Sequence, residues 1–175
     1  MILSPLISKG QAEEIFLNSR KTFFRKIKKK DVCHFRLELI HLPVYIFEAN
    51  IKQQENLKTV EFSVDGLLGN VMFFAPIEQY FLDKTENKVI EFSLPLDEAE
   101  KLVVKHCKTL ILQQGMRFHR EASLLSVQFS KSIYYPFWIA YFKKGKKYDF
   151  KAFDGISGEI QGIRMRKVFL KAFRG

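Results

Sequence analysis

A chain of 175 residues, 47% hydrophobic and 27% charged, can bury a sizeable core and falls outside the disordered class. Its formal net charge of +10 points to an anionic partner such as nucleic acid, acidic headgroups or an acidic protein. Two cysteines make no disulfide framework, no apolar run approaches the roughly 18 residues of a spanning helix, and no basic stretch precedes an apolar one at the start, so a reduced, cytoplasmic protein without a transmembrane segment is expected.

The first element is a helix. Ser8-Lys9-Gly10-Gln11 has the form of a capping box, and Ala12, Ile15, Phe16, Ser19, Phe23 and Ile27 follow at helical spacing. Cys33, Phe35, Leu37 and Leu39 then alternate with His34, Arg36 and Glu38, the period of a strand. In "HLPVYIFEANI" (His41 to Ile51) Pro43 precedes "VYIFEANI", a near-continuous apolar strand. "VEFSVDGLLGNVMF" (Val60 to Phe73) carries an Asp-Gly-x-x-Gly turn at Asp65, Gly66 and Gly69. The segment Pro76 to Leu94 links onward, with a short helix predicted at "IEQYFLDK".

The second half repeats this order. Asp97 and Glu100 mark a helix start, Ala99, Leu102, Val103, His106, Cys107 and Leu110 form one apolar stripe, and Gly115 is a plausible stop. Leu125, Val127 and Phe129 alternate with Ser126 and Gln128. "YYPFWIAYFKK" (Tyr134 to Lys144) matches the earlier proline-led strand, and Gly145 centres a charged hairpin tip. "YDFKAFDGISGEIQG" brings back the turn at Asp154, Gly155 and Gly158. The two prolines lie 93 positions apart and the two turns 89 apart. Arg164 to Gly175 reads as strand, helix or both.

In Asp-Gly-x-x-Gly the carboxylate accepts from following backbone N–H groups and the glycines take positive φ, so the repeated turn reads as a structural corner. One carboxylate between glycines is too few ligands for calcium. The second hairpin, through Tyr148, Phe150, Asp154, Gly158, Glu159 and Ile160, resembles the PepSY-type repeat. Val60, Phe62, Asp65, Gly69 and Val71 carry the same likeness in the first half. The resemblance implies tandem cystatin-like units of a helix on a sheet, and a binding or inhibitory module without catalytic residues.

For chemistry the chain offers little. Cys33-His34 and His106-Cys107 adjoin, and His41 and His119 complete the histidines, but no CxxC, HxH or HExxH spacing occurs. Cys107 sits on an apolar stripe, where a thiol is inert. No P-loop, dinucleotide fingerprint or Gly-x-Ser-x-Gly is present. No catalytic, cofactor or metal residues are assigned.

Charge is more informative. Arg20 to Lys30 holds seven basic residues and no acid. Lys143, Lys144, Lys146 and Lys147 crowd the hairpin tip, and Arg164, Arg166, Lys167, Lys171 and Arg174 end the chain. These readings predict an α+β protein of two tandem cystatin-like units, 1–92 and 93–175, each one helix packed on an antiparallel sheet of about four strands. The expected function is a non-catalytic binding or accessory module. Its basic surface would comprise Arg20, Lys21, Arg25, Lys28, Lys29, Lys30, Lys143, Lys144, Lys146 and Lys147. The alternative is a non-specific nucleic-acid-binding protein, with Tyr134, Tyr135 or Trp138 stacking on bases. An anionic membrane would use Phe23 or Phe24 as anchor, and a protein partner an open sheet face or edge strand. A third reading is an enzyme with its pocket between helix and sheet.

Overall fold

The computed structural model describes residues 1–21, 35–74, 88–118 and 121–174, with 20, 21, 114–118 and 144 described through their backbone alone. Within them the protein is α+β, with three helices and one six-stranded sheet. The predicted helical positions Phe23 and Ile27, the strand start at Cys33 and the "IEQYFLDK" helix lie outside the described residues.

Helix α1 (Lys9–Lys21) begins with the reciprocal bonds of a capping box. Ser8 N–H donates to Gln11 Oε1 at 2.8 Å, and Gln11 N–H donates to Ser8 Oγ at 3.3 Å. Strands β1 (Phe35–Gln53) and β5 (Ala122–Lys144) are each far longer than the sequence periods suggest, and they pair antiparallel throughout, from Phe35 opposite Phe142 to Gln53 opposite Ala122. Strand β2 (Asn56–Asp65) flanks the second part of β1, and β6 (Lys147–Asp154) flanks the last part of β5. Strand β3 (Val71–Phe73) extends the sheet beyond β2, and β4 (Lys88–Val89) runs parallel to Ile40 and His41. The order is β3-β2-β1-β5-β6. The strands expected to divide between two sheets therefore share one.

Pro43 and Pro136 sit inside the long strands, where proline is normally excluded for want of an N–H. Each is tolerated because its backbone faces a turn and not a neighbouring strand. Gly66 N–H donates to the Pro43 carbonyl at 2.8 Å, and Gly155 N–H donates to the Pro136 carbonyl at 2.9 Å. The two turns thus close onto the two prolines.

Other contacts recur in pairs. Leu94 N–H donates to Gly66 O and Ile7 N–H to Gly155 O, both at 2.9 Å. Tyr45 Oη–H donates to Leu94 O at 2.9 Å, and Trp138 Nε1–H donates to Ile7 O at 2.8 Å. Leu42 faces Tyr135 between them, at the middle of the β1–β5 ladder.

The helices cross over. On one face of the sheet, Ala12 and Phe16 of α1 pack on Trp138, Ala140, Phe142 and Phe153, the β5–β6 end. Phe16 lies 4.7 Å from the Phe35 ring and 5.4 Å from Phe142, a burial that contributes about 2–3 kcal/mol. Helix α2 (Leu96–Phe118), which runs through Gly115, packs Ala99, Val103 and Cys107 on Tyr45, Phe47, Ala49, Phe62 and Val64 at the β1–β2 end. The tail forms a third helix, α3 (Ile163–Ala172). Its Met165, Val168, Phe169 and Ala172 cover Ile40, Phe137, Ile139 and Phe150 on the opposite face. The β5–β6 end is therefore covered on both faces.

Candidate surface for an anionic partner

The repeated turns are fully engaged within the fold. Asp65 Oδ1 accepts from Leu67 N–H (3.2 Å) and Leu68 N–H (2.7 Å), and Oδ2 from Asn70 N–H (2.6 Å) and Asn70 Nδ2 (2.7 Å). Asp154 Oδ1 accepts from Ile156 N–H (2.8 Å) and Ser157 N–H (2.9 Å), and the Tyr135 hydroxyl donates to the same carboxylate at 3.0 Å. Gly69 and Gly158 hold φ of 74° and 75°, a region glycine enters without a Cβ clash. A Cβ on Gly155 would lie 2.6 Å from Pro136 O, and one on Gly66 would meet Phe92 and Pro43. With their lone pairs taken by the chain's own donors, these carboxylates work as corners.

The basic residues divide by location. Arg25, Lys28, Lys29 and Lys30 lie outside the described residues. Arg20 and Lys21 form the last two positions of α1. That helix advances along β6 toward its tip. Ile7 bonds Gly155, Phe16 meets Phe153 and Phe142, and Ser19 Oγ accepts from Lys151 Nζ at 3.1 Å. The tip follows, with Lys143 and Lys144 closing β5 and Gly145 (φ 62°) and Lys146 turning into Lys147. The backbones of Arg20 and Lys21 thus lie toward the same end of the sheet as the tip.

Strand alternation sorts this end by face. Lys143 stands directly opposite Tyr148, and Arg36 opposite Tyr141, all on the side that carries α3. Tyr148 is 83% exposed. A hollow of about 480 Å³ is lined by Phe35, Arg36, Glu38, Tyr141, Phe142 and Tyr148. Burial and the neighbouring Glu38, whose carboxylate accepts its hydrogen bond, push the Tyr141 phenol up to about 12, while Arg36 acts in the opposite sense. The ring stays neutral at physiological pH.

Beyond Tyr141 the same side continues onto α3. Phe173 lies 5.9 Å from the Tyr141 ring, and Lys88 Nζ is 5.9 Å from the Phe173 ring. Arg164, Lys167 and Lys171 occupy the exposed side of α3, and Arg174 is exposed just past its end. Arg166 is used differently. It pairs with Asp149, donates to Phe150 O at 2.8 Å and lies 4.3 Å above the Phe150 ring. Asp149 Oδ1 also accepts from Phe150 N–H at 2.8 Å. Both outward backbone groups of Phe150 are therefore occupied, which blunts the β6 edge against strand addition.

Two of the three aromatics expected to stack on bases are committed to the fold, and Tyr134 is half-buried with its ring 5.5 Å from that of Phe92. Trp138 is 8% exposed with its Nε1 bonded to Ile7, and Tyr135 bonds Asp154. Tyr148, Arg36 and Lys88 were missing from the predicted surface. The alternation Lys143-x-x-x-x-Tyr148 across a two-residue turn is the signal that could have paired Tyr148 with the tip.

The residues considered for chemistry do not assemble. His41 is fully buried with Nε2 2.9 Å from Leu3 O, and His106 packs against Phe62. Burial pushes the Cys107 thiol up, away from the reactive thiolate. Cys33, His34 and His119 lie outside the described residues. Among the described residues no group of three or more His, Cys, Asp or Glu side chains could hold a metal, and no helix is long and apolar enough to cross a membrane. Protein-family models, curated proteins and solved structures include no match to the chain.

Proposed function

We propose that this protein is a non-catalytic binding module, acting in the cytoplasm, that takes an anionic partner at the β5–β6 end of its sheet. One observation supports this best. Lys143, Lys146, Lys147 and Arg36 gather at that end beside the last turn of α1, and among the described residues no carboxylate pairs with any of them. Clustered cations that outnumber the neighbouring carboxylates, Glu38 in the adjoining hollow and Asp149 paired with Arg166, raise the local potential and favour an anion that neutralises several at once. The PepSY-type likeness of the hairpins also favours a partner that is bound and not transformed.

We further infer that the module is a duplicated unit. The paired bonds at Pro43 and Pro136, at Leu94 and Ile7, and at Tyr45 and Trp138 support two copies related by a pseudo-twofold axis between Leu42 and Tyr135. Leu3 N–H donates to Tyr134 O as Ile90 N–H donates to His41 O. This correspondence favours a second copy beginning near Lys88, slightly ahead of 93. Each helix then serves the hairpin of the other copy.

The test is a titration against single-stranded and duplex oligonucleotides and phosphatidylserine vesicles, each at two salt concentrations. The expected result is salt-steep binding to at least one polyanion that is lost in the combined Lys143→Glu, Lys146→Glu, Lys147→Glu variant. Undiminished binding by that variant would refute the assignment of this surface.

A further inference from the structure

We propose that the partner is single-stranded nucleic acid and that Tyr148 is the platform on which one of its bases stacks. This inference rests on the basic-end reading above and goes beyond it in naming both the polymer and the residue that distinguishes it from other polyanions.

The argument begins with exposure. Tyr148 is the most exposed of the large hydrophobic and aromatic side chains in the described residues, at 83%. An aromatic ring left in water on a sheet usually contributes little to folding, and this one has cations at fixed positions around it. Lys143 stands directly across the ladder from it, and Arg36, with Glu38, shares its hollow. Lys143 is two residues along from Tyr141, the partner of Arg36, so Arg36 and Lys143 are diagonal neighbours on one face, roughly 7–8 Å apart and somewhat less between their Cβ atoms. Cations so spaced can meet neighbouring phosphates while a base on the β6 side of Lys143 lies against the ring.

Proteins that hold single strands combine these two parts, a basic groove for the backbone and an aromatic face for the base. The track does not end at the hairpin. Phe173 carries Lys88 on its ring, with Lys171 in the last turn of α3 and Arg174 just past it.

The chemistry favours nucleic acid over a lipid surface. Membrane docking by an amphipathic helix needs an apolar face free to enter the bilayer. The apolar face of α3 is already buried through Met165, Val168, Phe169 and Ala172. A peptide strand added to β6 is disfavoured because Asp149 and Arg166 occupy the outward groups of Phe150. A duplex keeps its bases stacked away from a tyrosine on a shallow surface, so an unpaired base is required.

The experiment uses the full chain with a labelled oligothymidylate, the matching duplex and phosphatidylserine vesicles. Tyr148→Trp adds an exposed indole to the buried Trp138, and its emission should be quenched on adding the single strand. Tyr148→Phe should bind like the wild type, and Tyr148→Ala should bind roughly ten-fold or more weakly with an unchanged salt slope. The exposure of Tyr148 leaves these variants folded, which circular dichroism checks. If Tyr148→Ala binds like the wild type while charge reversal at Lys143, Lys146 and Lys147 weakens binding, stacking is overturned and the basic-end reading stands. Binding to vesicles alone, or equal binding to the duplex, likewise overturns the single-strand proposal. Binding to no polyanion overturns both.

Discussion

Asp65 and Asp154 close equivalent turns, yet replacing each with asparagine should have unequal effects. Asp65 is 2% exposed, and its Oδ2 accepts from both the backbone N–H and the side-chain amide of Asn70. In Asp65→Asn one oxygen still serves Leu67 and Leu68, but an NH2 group now faces Asn70. The Asn70 side chain can rotate to offer its oxygen, whereas its backbone N–H cannot. One charge-assisted bond is lost and the others weaken, a cost of about 3 kcal/mol. At Asp154 the second oxygen meets the Tyr135 hydroxyl, which lies 3.0 and 3.1 Å from the two oxygens and can turn to accept. Asp154→Asn should therefore cost only about 1 kcal/mol. Urea unfolding followed by Trp138 emission, with m near 2 kcal/mol/M, should lower the midpoint by about 1.5 M for Asp65→Asn and about 0.5 M for Asp154→Asn. Equal shifts, or an Asp65→Asn midpoint within about 0.2 M of wild type, would refute the account of these turns.

Three further outcomes follow from named contacts. Gly155→Ala, whose Cβ would meet the Pro136 carbonyl, should destabilise more than Gly145→Ala, whose Cβ enters open space at φ 62° and costs about 1 kcal/mol; thermal melts compare them. Arg166→Ala should uncover the outward carbonyl of Phe150 and give concentration-dependent self-association by sedimentation, while the wild type stays unaltered over the same range. Glu38→Gln should lower the Tyr141 titration from about 12 toward the ordinary phenol range, seen as phenolate absorbance appearing at lower pH. In the wild type the raised phenol contributes stability that is complete below about pH 10 and is lost as pH rises through about 12, because the folded state then binds the extra proton.

Local chemistry was readable in the sequence and long-range pairing was not. The capping box at Ser8 and Gln11, the tip at Gly145 and the two Asp-Gly turns depend on neighbours within a few residues, and each appears where its residues stand. Pro43 and Pro136 read as leading into strands and not as lying inside them, because no local rule reveals that Gly66 and Gly155 dock on their carbonyls. The apolar stripes of α1 and α2 said only that one face is buried, not which hairpin buries it. The tail gave too few residues to separate helix from strand until Phe137 and Phe150 supplied a surface for Phe169. The candidate surface divides in the same way. The lysine-rich tip was visible as a charge run. Arg36 and Tyr148 were not, since they lie 112 positions apart in the chain and meet only through β5.

The most direct test of the central claim is the salt dependence of oligonucleotide affinity for the wild type and the Lys143→Glu, Lys146→Glu, Lys147→Glu variant. If Arg36 and the three tip lysines each neutralise a phosphate, log K should fall against log salt with a slope of about −3 for a single strand, and the variant should lose most of its affinity. A flat salt dependence, or a variant that binds as tightly as the wild type, would contradict the account.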